Sequence, residues 1–353
     1  MTSAVIRWGG VGIELECADT AVLSYIAGQH YCVIEVPGSD ASFRLRVDTA
    51  APATPAADFV DERRSFGDWT YRHEFDGEVH TLRSGAGHEA PHQLLTPDWR
   101  SWTLRVGSAG AGVIACRVIR ELIREHVLSA GAQMCHGSGV LLNTNGAGLL
   151  FLGDSGAGKT TLATVLAARQ RGWTVATDRV MVARSGAAGE WWMTGIPTTT
   201  RLGEGALRAL IGEIIPERRS LARQAVDGGA IRDKWPFSNL EAASWLRVGF
   251  ASASPIAALV VLGRAGPEAP LEITRISGDD AAAAITPHLL GDDRDSPTMW
   301  LRPDAGIPPA GPQGADLAGG LPCFRMSWSP ARHFPVVEER LIDAMDQSLQ
   351  LAT

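Results

Sequence analysis

Gly148-Leu149-Leu150-Phe151-Leu152-Gly153-Asp154-Ser155-Gly156-Ala157-Gly158-Lys159-Thr160-Thr161 is the stretch that decides the fold. Its opening run, Gly148 to Leu152, is short, apolar and bounded by glycine, which predicts a buried parallel strand. Gly153, Gly156 and Gly158 then allow successive backbone N–H groups to turn inward around a polyphosphate. Lys159 reaches the outer phosphates and Thr160 offers a hydroxyl to Mg²⁺. The residues Thr161-Leu162-Ala163-Thr164-Val165-Leu166-Ala167-Ala168 predict a helix whose N-terminal dipole faces the same anion. The expected ligands are ATP, held by Gly153, Ser155, Gly156, Ala157, Gly158, Lys159, Thr160 and Thr161, and Mg²⁺.

Lysine usage reinforces that reading. Of 32 cationic side chains only Lys159 and Lys234 are lysines. A compact ammonium kept inside a glycine-rich turn, in a chain that otherwise uses arginine, points to phosphate contact rather than charge alone. By the same reasoning Lys234, in Arg232-Asp233-Lys234-Trp235-Pro236-Phe237, is a second candidate phosphate contact, with a surface lysine as the alternative.

Bulk composition narrows the classes. A length of 353 residues suits two domains, and 45% apolar with 20% charged residues is ordinary for a globular chain. The net charge of -7 argues against nucleic acid as a partner, because no basic face is concentrated enough. The densest basic stretch, Glu217 to Arg223, reads as a solvated helix face. Five scattered cysteines without a Cys-x-x-Cys pair fit reduced thiols and a cytoplasmic location. No run approaches the ~18 apolar residues of a membrane span, so no membrane association is expected.

Working outward, residues 1 to 110 read as a β-rich domain. Strands are expected over 4–8, 12–17, 31–36 and 43–47, with a hairpin over 69–82 turning at Phe75-Asp76-Gly77-Glu78 and a strand over 99–106. Ala50 to Ala57 reads as loop. Apolar residues at helical spacing predict a linking helix over 111–128. From 131 to 353 the pattern is α/β: strands at 140–142, 173–177 and 257–262, and helices over 279–290 and 336–351. Pro303 to Gly320 is expected to be loop.

Asp178 is the next acidic residue at an expected strand end. It follows Lys159 by nineteen positions, room for one helix, a turn at Gly172 and one return strand. The expectation is a carboxylate at the C-terminal edge of a parallel sheet, beside the loop, able to ligate Mg²⁺ or take a proton from an attacking hydroxyl. A capping aspartate is the bland alternative.

His136-Gly137-Ser138-Gly139-Val140, the phosphate loop, and Arg171-Gly172-Trp173-Thr174-Val175-Ala176-Thr177-Asp178-Arg179-Val180 together resemble the core of the HPr kinase family over about residues 130–182. The resemblance implies an α/β phosphate-loop kinase domain of the HPr kinase/PEP carboxykinase type, here preceded by the β-rich domain. It further implies that His136 lies near the transferred phosphate and that paired aspartates supply proton acceptor and metal contact. This chain has Thr177-Asp178 where the family has two aspartates. A threonine hydroxyl cannot do a carboxylate's work at neutral pH. Either Asp178 covers both duties, or His136 takes the proton, or the reaction has changed. The family's Glu-x-Arg-Gly-x-Gly stretch is not evident, which puts HPr itself in doubt as substrate.

The expected activity is transfer of the γ-phosphoryl group of ATP to a hydroxyl of a small biosynthetic intermediate or a peptide serine. The expected catalytic residues are Asp178, His136 and Lys159, with Thr160 and Asp178 on the metal. The alternatives are a nucleotide-binding regulatory module and a PEP-carboxykinase-like phosphotransferase. Trp191, Trp192 and Trp235 read as core before pocket, and Asp292-Asp293-Arg294-Asp295 as a solvated loop. A homo-oligomer is compatible with the sequence.

Overall fold

A computed structural model describes residues 2–32, 42–49, 58–65, 69–85, 90–143, 146–170, 172–185, 189–212, 214–227, 234–266, 268–290, 301 and 311–350. The expected strand residues 33–36, the loop Ala50–Ala57, the cluster Asp292–Asp295 and residues 303–310 lie outside them. The chain is mixed α/β and divides into two compact units. One takes Met1–His30, Glu35–Gly131 and Gly291–Ala310; the other takes Tyr31–Ile34, Ala132–Leu290 and Gly311–Thr353.

The first unit holds a sheet of eight strands among the described residues: β1 Thr2–Trp8, β2 Val11–Cys17, β3 Ser42–Asp48, β4 Asp58–Ser65, β5 Trp69–Phe75, β6 His80–Ser84, β7 His92–Thr96 and β8 Ser101–Val106. Their order is β1-β2-β3-β8-β7-β6-β5-β4. β3 runs parallel to β2 and β8, and the other neighbours are antiparallel. Alternation decides the faces: Ile13, Leu15 and Cys17 are buried while Glu14 and Glu16 face out, as a half-buried strand requires. Helices α1, Thr20–Gln29, and α2, Ala111–Ser129, belong to this unit. α2 buries Ile114, Val118, Ile119 and Leu122, the helical spacing read from the sequence.

The second unit starts with β9, Gln133–Leu141, longer than the expected 140–142. β10, Gly148–Gly153, is fully buried and leads through the glycine-rich loop into α3, Lys159–Gln170. β11, Trp173–Ala176, β12, Arg179–Ser185, and β13, Glu190–Gly195, follow. The sheet runs Ala253–Pro255, β13, β12, β9, β10, Ala258–Arg264, Cys323–Trp328, Glu272–Ile276. β10 is parallel to Ala258–Arg264, which is parallel to Cys323–Trp328, while β9 is antiparallel to β10. Helices α4 Glu204–Leu210, α5 Pro216–Asp227, α6 Asn239–Leu246, α7 Gly278–Ile285 and α8 Gly314–Gly320 complete the part of the unit that matters below, with a last helix at Val337–Gln350.

Two expectations are corrected here. The stretch Pro303 to Gly320 is not all loop: α8 forms over Gly314–Gly320, where Gln313 N donates to Asp316 Oδ2 at 2.8 Å, a carboxylate reaching back to the helix start. The helix expected over 279–290 ends at Ile285 and tightens into a 3₁₀ turn at Thr286–His288, where Pro287 lacks the N–H a continuing helix needs.

Candidate functional site

The phosphate-loop backbone adopts the conformation its glycines permit. Gly153, Gly156 and Gly158 have φ of 143°, 85° and 94°. At Gly158 two constraints coincide, because a Cβ there would also stand 2.7 Å from the Trp328 ring. Trp328, fully buried at the end of its strand, donates from Nε1 to Ala157 O at 2.9 Å. It braces the loop from beneath. Sequence reasoning missed it, since a tryptophan so far along the chain carries no signal linking it to the loop.

Lys159 is buried, with its ammonium folded onto the loop: Nζ donates to Gly153 O at 2.6 Å and to Asp154 O at 2.9 Å. Burial lowers its pKa to about 8, against the raising influence of Asp178 and Asp154. Ser155 and Gly156 are exposed at the loop tip, Ala157 is buried, and Thr161 sits half-buried in the first turn of α3. Lys234 is exposed just before the strand Trp235–Phe237, near enough for its charge to help lower the pKa of Lys159.

Asp178 follows β11, which pairs parallel with Gly249–Phe250 on one side but antiparallel with β9 on the other, so the sheet here is mixed rather than parallel. β11 and β12 both pair antiparallel with β9, and Thr177-Asp178 lie between them, opposite Gly137-Ser138. The register slips one residue at Thr174/Ala176, a bulge that re-aims the side chains after it. Backbone and hydroxyl bonds fasten this corner. Gly137 N donates to Asp178 O at 3.1 Å, and Thr177 O accepts from Ser138 Oγ at 3.0 Å and Thr160 Oγ1 at 2.6 Å. The threonine that heads α3 is thereby tied to the turn that carries Asp178. Its hydroxyl proton is committed to that carbonyl, which leaves its oxygen lone pairs as acceptors.

Thr177 itself is buried, its hydroxyl 3.3 Å from Thr198 Oγ1. Asp178 is half exposed. Its Oδ2 lies 2.9 Å from Arg179 Nη1 and its Oδ1 3.4 Å from His136 Nδ1. His136 and Arg179 are direct cross-strand partners, and Arg179 Nη1 stands 2.7 Å from His136 Nδ1. Guanidinium only donates, so Nδ1 accepts and the neutral ring carries its proton on Nε2. Burial first, then Lys159 and Arg179, push the His136 pKa below its usual value, with Asp178 opposing.

His288 was also missed. It ends the 3₁₀ turn before Leu289–Leu290, which pairs with Met134 and Cys135 of β9. Its pKa is lowered by burial and by Lys159, while Asp154 raises it, so it shares the electrostatic surroundings of the loop. Trp191 is buried in the core beneath the Arg184 guanidinium, and Trp235 packs with Phe237 and Trp245. Among the described residues no group of three or more His, Cys, Asp and Glu is arranged as a metal cage, and no helix is long and apolar enough to cross a membrane.

The cradle fits a nucleotide polyphosphate: three positive-φ glycines, a lysine on the loop mouth and a helix N-terminus behind it. Thr160 and Asp178 are the residues that would hold a Mg²⁺, with phosphate oxygens and water completing its shell, the usual way this cation is bound. No family model matches the chain, and no curated protein matches it. Among solved structures the chain is similar to the HPr(Ser) kinase/phosphatase from Coxiella burnetii, at a TM-score of 0.29 and 12% identity, covering 62% of this chain and 93% of that one. The similarity is remote.

Proposed function

We propose that this chain is a kinase that transfers the γ-phosphoryl group of ATP to a hydroxyl, on a small biosynthetic intermediate or a peptide serine. The observation that carries this reading is the bond from Thr160 Oγ1 to Thr177 O, which fixes a carboxylate-bearing turn beside the phosphate loop.

In this reading the loop amides and Lys159 hold the β- and γ-phosphates. Mg²⁺, when bound at Thr160 and Asp178, neutralises charge between them. Asp178 orients the acceptor hydroxyl and takes its proton as the oxygen bonds to the γ-phosphorus and the bond to the β–γ bridging oxygen breaks, releasing ADP. His136 is unsuited to that proton: Nδ1 is occupied by Arg179 and Nε2 already carries hydrogen. It is suited to donate from Nε2 to a phosphoryl oxygen. A second reading, nucleotide binding without transfer, is favoured by the buried Thr177, which puts a hydroxyl facing Thr198 in place of a second carboxylate.

The test is incubation of the full chain with γ-labelled ATP, Mg²⁺ and pools of hydroxyl metabolites and serine peptides. Label is expected in one acceptor with the native chain and in none with Lys159→Ala. Saturable ATP binding with no labelled acceptor in any pool would favour the second reading.

A further inference from the structure

The far end of α3 borders a cavity of about 850 Å³ lined by Ala168, Arg169, Gly212, Ile214, Ile215, Pro216, Arg219, Leu246 and Arg247. That volume is in the range of small-molecule sites, roughly 300–1,000 Å³. Its wall has two characters. Ile214 and Leu246 are buried and, with Ile215, Pro216 and Ala168, make an apolar floor. Three arginines stand around it, and among the described residues that line it none is acidic.

Two of the arginines donate to backbone carbonyls. Arg219 Nη2 donates to Gly212 O at 3.1 Å and Ile214 O at 3.0 Å, and Arg169 Nη1 donates to Phe334 O at 2.8 Å. Carbonyl partners fix a guanidinium without cancelling its charge. Arg247, which ends α6, has φ 57° and ψ 27°, a left-handed conformation that costs a side-chain-bearing residue energy. Pro216, which opens α5, also borders the space. The basic stretch on α5 is therefore not simply a solvated face, since Arg219 turns to this cavity.

We propose that this cavity is a second ligand site, taking an amphiphilic anion: a carboxylate, sulfonate or phosphate-ester head on an apolar body. The arginines take the head, and the apolar floor takes the body. The site is separate from the phosphate loop. Ala168 and Arg169 lie nine and ten residues beyond Lys159 on α3, about 14 Å along the axis at ~1.5 Å per residue. The proposal stands whether or not the chain is a kinase.

The experiment uses the fluorescent anion 8-anilinonaphthalene-1-sulfonate on the full chain, with the uncharged N-phenyl-1-naphthylamine as control. Octanoate and octyl phosphate serve as competitors that separate carboxylate from phosphate heads. Arg247→Gly removes a guanidinium where glycine is the favoured residue, so the fold is not strained by the change. Arg219→Gln is the second variant, with Arg219→Lys to restore charge. The expected result is saturable binding of the sulfonate, not displaced by ATP, weakened at least ~tenfold in Arg247→Gly at unchanged Tm. Binding that is unsaturable, equal for the uncharged amine, displaced by ATP, or unaltered in Arg247→Gly would overturn the proposal.

Discussion

Arg179 Nη1 donates to His136 Nδ1 across 2.7 Å, and the same nitrogen lies 2.9 Å from Asp178 Oδ2. One guanidinium thus fixes the imidazole tautomer and holds the carboxylate. Burial sets the lowered His136 pKa and Arg179 adds to it, while Asp178 opposes both. Replacing Arg179 by Met should raise the His136 pKa, since the Asp178 influence remains. Imidazole nitrogen shifts followed by NMR against pH check this, and an unchanged or lower value would refute the part assigned to Arg179.

Nucleotide binding should depend on pH through Lys159. Burial lowers its pKa to about 8, and only the charged form attracts phosphate. Affinity is full below that value and declines as pH rises through it, approaching about tenfold per unit at high pH. Calorimetric titration with ATP and Mg²⁺ between pH 7 and 9.5 would read the slope, and Lys159→Ala should bind weakly and lose it.

The loop should also fail from beneath. Trp328→Phe keeps most of the packing but removes the donor to Ala157 O, costing about 1 kcal/mol of stability. Trp328→Ala adds a cavity, about 3–5 kcal/mol. Gly158→Ala meets both a φ of 94° and a Cβ contact of 2.7 Å with the Trp328 ring, so nucleotide affinity should fall even if the fold survives. Denaturant midpoints beside ATP titrations separate the effects.

Much of this site was legible because it is local. The loop, its strand and its helix are contiguous, and glycine spacing, apolar run and helical period all agree from Gly148 to Gln170. The position of Asp178 was legible only in part. Its nearness to the loop followed from chain length, but its place in an antiparallel ribbon along β9 depends on pairing that no local pattern reports. Trp328 and His288 reach the loop through tertiary packing, and neither left a signal near it. In the first unit, α1 was missed although Asp19 accepts from Ala21 N and Val22 N as a helix cap; its residues show little amphipathic contrast. β4 was missed because Asp58 to Ser65 is mostly polar and lacks the alternation that revealed β2.

Thr177 contributes to the corner through its carbonyl, not its hydroxyl. Thr177→Val should therefore cost about 1 kcal/mol of stability through the lost contact with Thr198, with phosphoryl transfer little changed. Thr160→Val, which loses the bond to Thr177 O and the Mg²⁺ oxygen, should reduce transfer far more. Parallel turnover measurements on the two variants decide between hydroxyl and carbonyl as the working group at position 177.

The most direct measurement compares ATP affinity and phosphoryl transfer in Asp178→Asn, on whichever acceptor the labelling experiment identifies. Asparagine keeps the size of the side chain and one accepting oxygen, but its amide cannot take a hydroxyl proton. ATP affinity measured without Mg²⁺ should stay close to native, while transfer should fall by about 10²–10⁴, the usual contribution of a positioned base. Undiminished transfer by Asp178→Asn would contradict the assignment of Asp178 as proton acceptor, and with it the proposed mechanism.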